Sequence, residues 1–498
     1  MRTQGHNKLQ AWAASAAVVG TICVFVSCAV GPDYKRPAVK TPDGFRTAAS
    51  DTNRPPTDAS FGDVEWWRVF NEPQLHALIE EALTNSYDIQ IAAARVLQAE
   101  ASLRITRSQF FPTINAGGDL VTARTSEKGP AGVPRGADPK REYGDVFLSM
   151  PAYEIDLWGR IRRANEASRA LLLATEEAQR TVRQTLVSQV ATAYLELLEL
   201  DLELEIAYSS YGSRTNSLAL TRSREEGGVA GLQDVYQSMI LVSTAEATIA
   251  DTHRRIEQKE NELSILLGRN PGDIERSVSL TNQTVRAEVP PGLPSSLLER
   301  RPDIRAAEQQ LVAANANIGE AKAAFYPQIA LTGFYGYQSV SLSDLFTGGA
   351  RAWQFGPAVT FPLFTGGRLR GNLKFVEARF LETLAIYRQT LQDAFRDVSD
   401  SLIAYQRTRE FRQRQEERTQ ANRGATELAY FRYQGGVTSY LEVLYNEQEL
   451  LNAELGLAQA RRNELLSVVQ LYRALGGGWI QPEQHASNDV PAPKNSTK

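Results

Sequence analysis

The 498-residue chain carries 54 Lys and Arg against 58 Asp and Glu, a formal net charge of −4 that excludes a strongly basic nucleic-acid binder. Both of its 2 cysteines, Cys23 and Cys28, precede residue 30, so no disulfide or thiolate metal site is expected in the body of the chain. The 4 histidines (His6, His76, His253, His485) are scattered, and no phosphate loop, zinc spacing or nucleophile elbow occurs, which points away from an enzyme, a metal or a cofactor.

In chain order, residues 1–27 read as an export signal. Arg2 and Lys8 give a positive start, and Ala11 to Ser27 is mostly apolar with small residues at its end. The run stops at Cys28, after small Ser27, in a pattern that resembles a bacterial lipoprotein processing site. Phe25 departs from the usual leucine, and an ordinary signal peptide with an incidental cysteine is the alternative. If Cys28 is acylated, the mature protein has no free thiol. Beyond it no apolar run approaches the ~20 residues of a spanning helix, so further membrane contact must be made by strands. Ala29 to about Asp63 has no period and reads as a tether. Glu65 to Phe70 forms a local apolar anchor, and Pro73 suits a helix start.

From Asp88 the chain is duplicated, with Asp88-Ile89 repeated at Asp303-Ile304. Each copy opens with an Ala-rich helix of about 22 residues, stopped by proline at Phe110-Phe111-Pro112 and Phe325-Tyr326-Pro327. The period then changes to two. Ile329, Leu331, Gly333, Tyr335 and Tyr337 alternate with Gln328, Ala330, Thr332, Phe334 and Gly336. Trp353, Phe355, Val359, Phe361 and Leu363 alternate with Gln354, Gly356, Ala358 and Thr360. The first copy has the same plan in Ile114, Ala116 and Leu120, then Phe147, Tyr153, Ile155 and Leu157 on the bulky face, across a polar loop. No second layer is left to cover that face, which is the pattern of a transmembrane β-barrel strand. A 67-residue run follows in each copy (Arg160 to Glu226, Arg368 to Gln434), free of proline and ended by Gly-Gly-Val. As a helix it would reach roughly 100 Å at ~1.5 Å per residue. A return helix of about 36 residues ends in Leu-Gly both times.

The leading and return helices together nearly equal one long helix, so two short helices in line can occupy the same kind of slot. That gives four helical columns and four strands per chain. Four strands cannot close a barrel, yet a bilayer tolerates no open strand edge. Small, polar inward faces favour three chains, and hence a 12-stranded barrel with an open lumen, over two.

Cys28-Ala29-Val30-Gly31-Pro32-Asp33-Tyr34, Glu299-Arg300-Arg301-Pro302-Asp303-Ile304 and Phe325-Tyr326-Pro327 resemble the outer membrane factors, TolC-type exit ducts, in their NodT-type lipoprotein branch. Pro362-Leu363-Phe364-Thr365-Gly366-Gly367 and Tyr440-Leu441-Glu442-Val443-Leu444 add to the resemblance, which covers nearly the whole mature chain. It implies an α+β membrane protein: a homotrimeric 12-stranded transmembrane β-barrel continued by a long periplasmic α-helical barrel, anchored by palmitate and related lipid at Cys28 in the outer membrane. It implies partners too, a periplasmic adaptor (membrane fusion protein) and an inner-membrane pump of the RND type, with drugs or other small solutes passed outward. A duct for type I polypeptide secretion stays open, as does, in a different class, a lipid-anchored coiled-coil scaffold, which the period-two segments oppose. The expected organisation is a signal peptide (1–27), a tether and equatorial segment (28–87), a first repeat (88–268), a linker (269–302), a second repeat (303–476) and a disordered tail (477–498).

The resemblance places the closed aperture at the periplasmic tip, around Gly435-Gly436-Val437. Carried over by position, Arg432 and Tyr433 take constricting roles and Glu442 is the first acid after the tip. The family's second acid falls on Tyr445, a departure that weakens any carboxylate ring and leaves a tyrosine constriction as its substitute. The first copy offers Arg224 and Asp234, so that Arg224 or Arg432 can pair with Glu442 or Asp234. The bland alternative is a set of solvated charges at a helical hairpin, each pair worth ~0–1 kcal/mol.

Overall fold

The structure is a computed structural model, and it describes residues 29–42, 44–45, 61–63, 69, 72–130, 133–134, 136, 138–283 and 294–478. The export signal, Cys28, the apolar anchor around Trp66 and Trp67, and the tail from Trp479 lie outside the described residues. The elements are α1 (Pro73–Asn85), α2 (Tyr87–Ser108), β1 (Asn115–Arg124), β2 (Lys140–Glu154), α3 (Arg160–Glu226), α4 (Leu232–Leu266), α5 (Leu297–Arg300), α6 (Pro302–Ala323), β3 (Gln328–Ser339), β4 (Arg351–Thr360), α7 (Arg368–Gln434) and α8 (Tyr440–Ala474). The two long helices have 67 residues each, the leading helices α2 and α6 have 22 each, and the return helices α4 and α8 have 35 each. No described helix is long and apolar enough to cross a membrane.

The chain divides into two compact units. The first comprises Met1–Ala38, Leu97–Thr175 and Ala307–Tyr387 and holds one antiparallel sheet in the order β1-β2-β3-β4. Lengths of 10 to 15 residues suit tilted strands through a bilayer of ~30 Å. Register assigns the faces. Leu148 lies opposite Ala116 and Tyr335, and Tyr335 opposite Trp353, so Leu120, Val146, Leu148, Tyr335, Trp353, Phe355 and Val359 share one apolar, exposed face. Asp119, Asp145, Ser149, Thr332, Gln338 and Gln354 share the other.

One expectation is corrected here. Phe147 does not share the bulky face with Tyr153. It lies opposite Gly117 and Gly336 on the polar face, its ring over Gly117. A bulge between Met150 and Tyr153, at Pro151, shifts the register, so residues an even number apart across it point to opposite faces.

The stretch read as a tether is held to the helices and the sheet end where it is described. The Val30 amide donates to the Trp158 carbonyl at 2.9 Å, and Asn315 on α6 donates to the Pro32 carbonyl at 2.9 Å. Asp33 pairs with buried Arg163 at 2.7 Å and Arg36 with Glu308 at 2.6 Å. At the strand ends, Trp158 stacks on Tyr326 at 4.8 Å. Alanine packing holds the helices of this unit close, with Ala167 and Ala170 of α3 against Ala313 and Ala316 of α6.

The second unit comprises Val39–Val96, Glu176–Ala306 and Arg388–Lys498. Its core joins α1 (Leu75, Leu78, Ile79), the middle of α3 (Leu186, Val190, Tyr194, Leu197), the end of α4 (Leu263, Leu267), Val398 and Leu402 of α7, and Leu471, Tyr472 and Leu475. The inter-repeat linker is more than a connection, since Ile274, Leu280 and Leu297 are buried in that core and Arg276 bridges Asp201 and Glu260. Return and leading helices meet end to end. Gly268, after α4, adopts a φ of +75°, and a Cβ there would fall 2.4 Å from the Asn85 carbonyl, two residues before α2 begins. Gly476, after α8, has a φ of +86° and abuts Arg300, two residues before α6. Only glycine admits both the left-handed turn and the close approach.

Candidate functional site at the hairpin tips

Both long helices end in the same motif. Val229 N–H bonds the Arg224 carbonyl and Gly228 N–H the Glu225 carbonyl, and Val437 to Arg432 and Gly436 to Tyr433 repeat the pattern at 2.8–3.0 Å. This is a Schellman stop with glycine in the left-handed position, φ +72° at Gly228 and +73° at Gly436. The chain reverses sharply, leaving Val229 and Val437 as exposed apolar points.

Asp234 and Glu442 each occupy the third position of the returning helix, where a carboxylate is favoured by the helix dipole whatever else it does. Glu442 does more. Arg432 reaches it at 2.9 Å and the Thr438 hydroxyl donates to its other oxygen, so it ties the end of α7 to the start of α8. The side chains are 45% and 35% exposed, which puts the pair in the ~0–1 kcal/mol class of surface bridges.

Arg224 finds a different partner from the acids expected of it. Its Nη1 donates to the Tyr433 carbonyl at 3.1 Å and its guanidinium lies 4.6 Å from the centre of the Tyr433 ring. Tyr433 is buried, 5.3 Å from Tyr440, in a cluster with Ala429 and Val443. Burial pushes its phenol above the ordinary value, Arg224 opposes that and Asp234 adds to it. Tyr433 is therefore an internal wedge joining the two hairpins rather than a side chain projecting from them. Tyr445 is the one that projects, at 66% exposure, one turn beyond exposed Leu441 on the same face of α8. Further along α7, Asp393, Asp397 and Asp400 recur at helical spacing, and the charge is partly neutralised, as Arg396 pairs with Asp393 and Asp397, and Arg301 with Asp397.

The sequence reading missed a second cluster on the same four helices. Arg214 and Ser217 of α3, Tyr430 of α7, and Glu447 and Gln448 of α8 meet in the interior, with Arg214 1% and Glu447 7% exposed. The signal was present: Arg214, Ser217 and Thr221 recur at helical spacing, but such a polar stripe reads by default as a solvated face. Among the described residues, no group of three or more His, Cys, Asp or Glu is placed to hold a metal.

Residues 78–269 and 293–477 match the family described as outer membrane efflux protein. The chain is 38% identical over 460 residues, 91% of its length and 94% of the relative's, to the toluene efflux pump outer membrane protein TtgF of Pseudomonas putida. It is 35% identical over 457 residues, covering 91% and 93%, to the outer membrane protein OprJ of Pseudomonas aeruginosa. Among solved structures, the open state of the MtrE outer membrane channel of Neisseria gonorrhoeae superposes with a TM-score of 0.80 at 29% identity, covering 91% of this chain and 99% of that one.

Proposed function

The chain belongs to the outer membrane efflux protein family, and from that premise we propose that it passes small organic solutes outward through a duct gated at the hairpin tips. It has the fold of trimeric outer-membrane channels, 12 strands from three chains continued by a helical barrel, and it is the outer-membrane component of an efflux pump. The reading goes further in three respects: the gate, the anchor and the partners.

The observation that carries the duct is the sheet. Its apolar face exposes Leu120, Leu148, Trp353, Phe355 and Val359 by more than half, and β1 and β4 leave both edges unpaired in the single chain. Lipid covers such a face, and neighbouring copies close such edges. For the gate, Arg432 and Glu442 brace one hairpin, Arg224 and Tyr433 join it to the other, Asp234 adds negative charge nearby, and Tyr445 projects. Three copies of Glu442 at a narrow opening favour cations, and Tyr445 supplies bulk where relatives would supply a second acid.

For the anchor, Val30, which follows Cys28 by two positions in the sequence, is fixed to the segment between β2 and α3. That supports acylation at Cys28 in the bilayer. The partners are a periplasmic adaptor and an inner-membrane pump of the RND type, which supply the energy that a passive duct lacks. Relatives named for toluene and antibiotic efflux favour solvents and drugs over polypeptides as cargo.

Planar-bilayer recording of the purified trimer tests the gate. Arg432→Ala with Glu442→Ala raises conductance; an unaltered trace removes the pair from the gate, and no channel steps from the wild type would sink the duct itself.

A further inference from the structure

We propose that the buried cluster of Arg214, Ser217, Tyr430, Glu447 and Gln448 is a two-position latch, in which Arg214 and Glu447 change partners as the hairpins slide during opening. The proposal rests on the gated-duct reading above but concerns residues well inside the helices, away from the exposed links at the tip.

Arg214 is fully buried, yet among the described residues it has no carboxylate within ion-pair distance. Its Nη1 donates to the Leu241 carbonyl of α4 at 3.1 Å and its Nη2 to Gln448 Oε1 of α8 at 3.2 Å, which leaves Nε without a hydrogen bond. Glu447, the neighbour of Gln448, is turned to other partners. Its Oε1 accepts from the Tyr430 hydroxyl of α7 and from Ser217 Oγ of α3 at 3.1 Å, and its Oε2 accepts nothing. A buried cation with an idle donor and a buried anion with an idle acceptor thus sit in one cluster.

The connectivity shows how near they are. Arg214 and Ser217 are one turn apart on α3 and hold Gln448 and Glu447, which are adjacent on α8. The two cross-links span the same pair of helices, and Glu447 differs from Gln448 by one residue rise of ~1.5 Å and a turn of ~100°, so exchanging them opposite Arg214 takes a small slide of α8 combined with its rotation or a change of the Glu447 rotamer. Burial draws the guanidinium below its ordinary value and the Glu447 charge opposes that, as expected of charges near one another but not bonded. Tyr430, whose phenol burial pushes far up, stays a donor at every working pH and so competes with Arg214 for the same carboxylate.

Competition gives the latch a signature of opposite signs. Tyr430→Phe removes one claim on Glu447 and frees it for Arg214, favouring the shifted state. Glu447→Gln keeps an acceptor for Tyr430 and Ser217 but deletes the charge that would attract Arg214, favouring the present state. Both changes are near-isosteric. In planar bilayers at fixed voltage, Tyr430→Phe is expected to raise mean conductance at least threefold and Glu447→Gln to lower it by a similar factor, with trimers intact on gels. Ser217→Ala frees the same carboxylate and is expected to follow Tyr430→Phe, which keeps the test decisive if that variant does not fold. Shifts of one sign, or none, in channels that still respond to Arg432→Ala with Glu442→Ala would make the cluster a fixed polar core and overturn the latch while leaving the duct standing. A wild type without channel steps would instead strike the duct reading first.

Discussion

Two neighbouring substitutions test the face assignment made by the bulge in β2. Phe147 and Leu148 lie at the middle of a 15-residue strand, and they point in opposite directions. Leu148 is 53% exposed on the face that meets lipid, where an arginine near the midplane costs about 2–4 kcal/mol per chain. Three chains bring that to roughly 6–12 kcal/mol per trimer, comparable to the whole stability of an ordinary domain. Phe147 faces the polar side over Gly117, and replacing it forfeits a cross-strand contact of about 0.2–1 kcal/mol. Leu148→Arg should therefore abolish heat-resistant trimers on gels of purified outer membranes, or lower their dissociation temperature steeply, while Phe147→Arg leaves them near wild type. The plain alternation of sequence, with Phe147 on Tyr153's face, predicts the reverse ranking. If Phe147→Arg proves the more damaging, both the bulge and the lumen assignment fall together.

Gly268→Ala places a Cβ 2.4 Å from the Asn85 carbonyl at a φ of +75°, and should lower stability by more than ~1 kcal/mol. Gly272→Ala, whose Cβ would meet only the Asn270 carbonyl at 4.0 Å, is the control, and equal thermal midpoints by circular dichroism would refute the tight helix junction. Cys28→Ser should abolish incorporation of labelled palmitate, and unchanged labelling would refute acylation there. Burial raises the Glu199 carboxyl above its ordinary value, against the pull of Arg462 at 2.6 Å. A raised folded value means the ionised form is disfavoured, so the group's contribution is present below the unfolded value of about 4.5 and lost as pH rises through the folded one. Glu199→Gln should accordingly raise the melting temperature at pH 7 and change little at pH 4, and a loss at pH 7 would show that the ion pair outweighs desolvation.

Sequence legibility followed the range of the interaction. Helix lengths, glycine stops and the duplication are local, and residues such as Gly228, Gly436, Pro112 and Pro327 announce them. Strand alternation is local too, but it fails where a bulge inserts, because nothing in the residues around Pro151 states how the partner strand is paired. The tip charges were legible as residue types and only partly as pairs: Arg432 and Glu442 meet within one hairpin, whereas Arg224 meets Tyr433 across 209 positions of sequence. Tyr433 itself looked like a projecting gate residue, and only the contact with Tyr440 shows that it is a wedge. The pinning of Val30 to Asp33 was hidden because every partner lies far along the chain.

The buried latch also bears on how the duplicated chain closes into a ring. At the offset of 208 residues that relates the two tips, Arg214 corresponds to Asn422, Ser217 to Ala425, and Glu447 to Met239. The charged cluster therefore exists at only one of the two pseudo-equivalent hairpin contacts. Met239 is 41% exposed, and Leu232, Tyr236 and Ile240 beside it on α4 are more than half exposed in the single chain. In a closed ring each hairpin has two neighbours, one in its own chain and one in the next. The buried cluster lies at the contact within the chain, and the exposed apolar residues of α4 suit a contact with the next one. Such a division fits a duct that keeps its chains together while it opens. An apolar contact between chains loses little when helices slide, because it has no fixed partners, whereas a hydrogen-bonded ionic contact has discrete alternatives and so can switch.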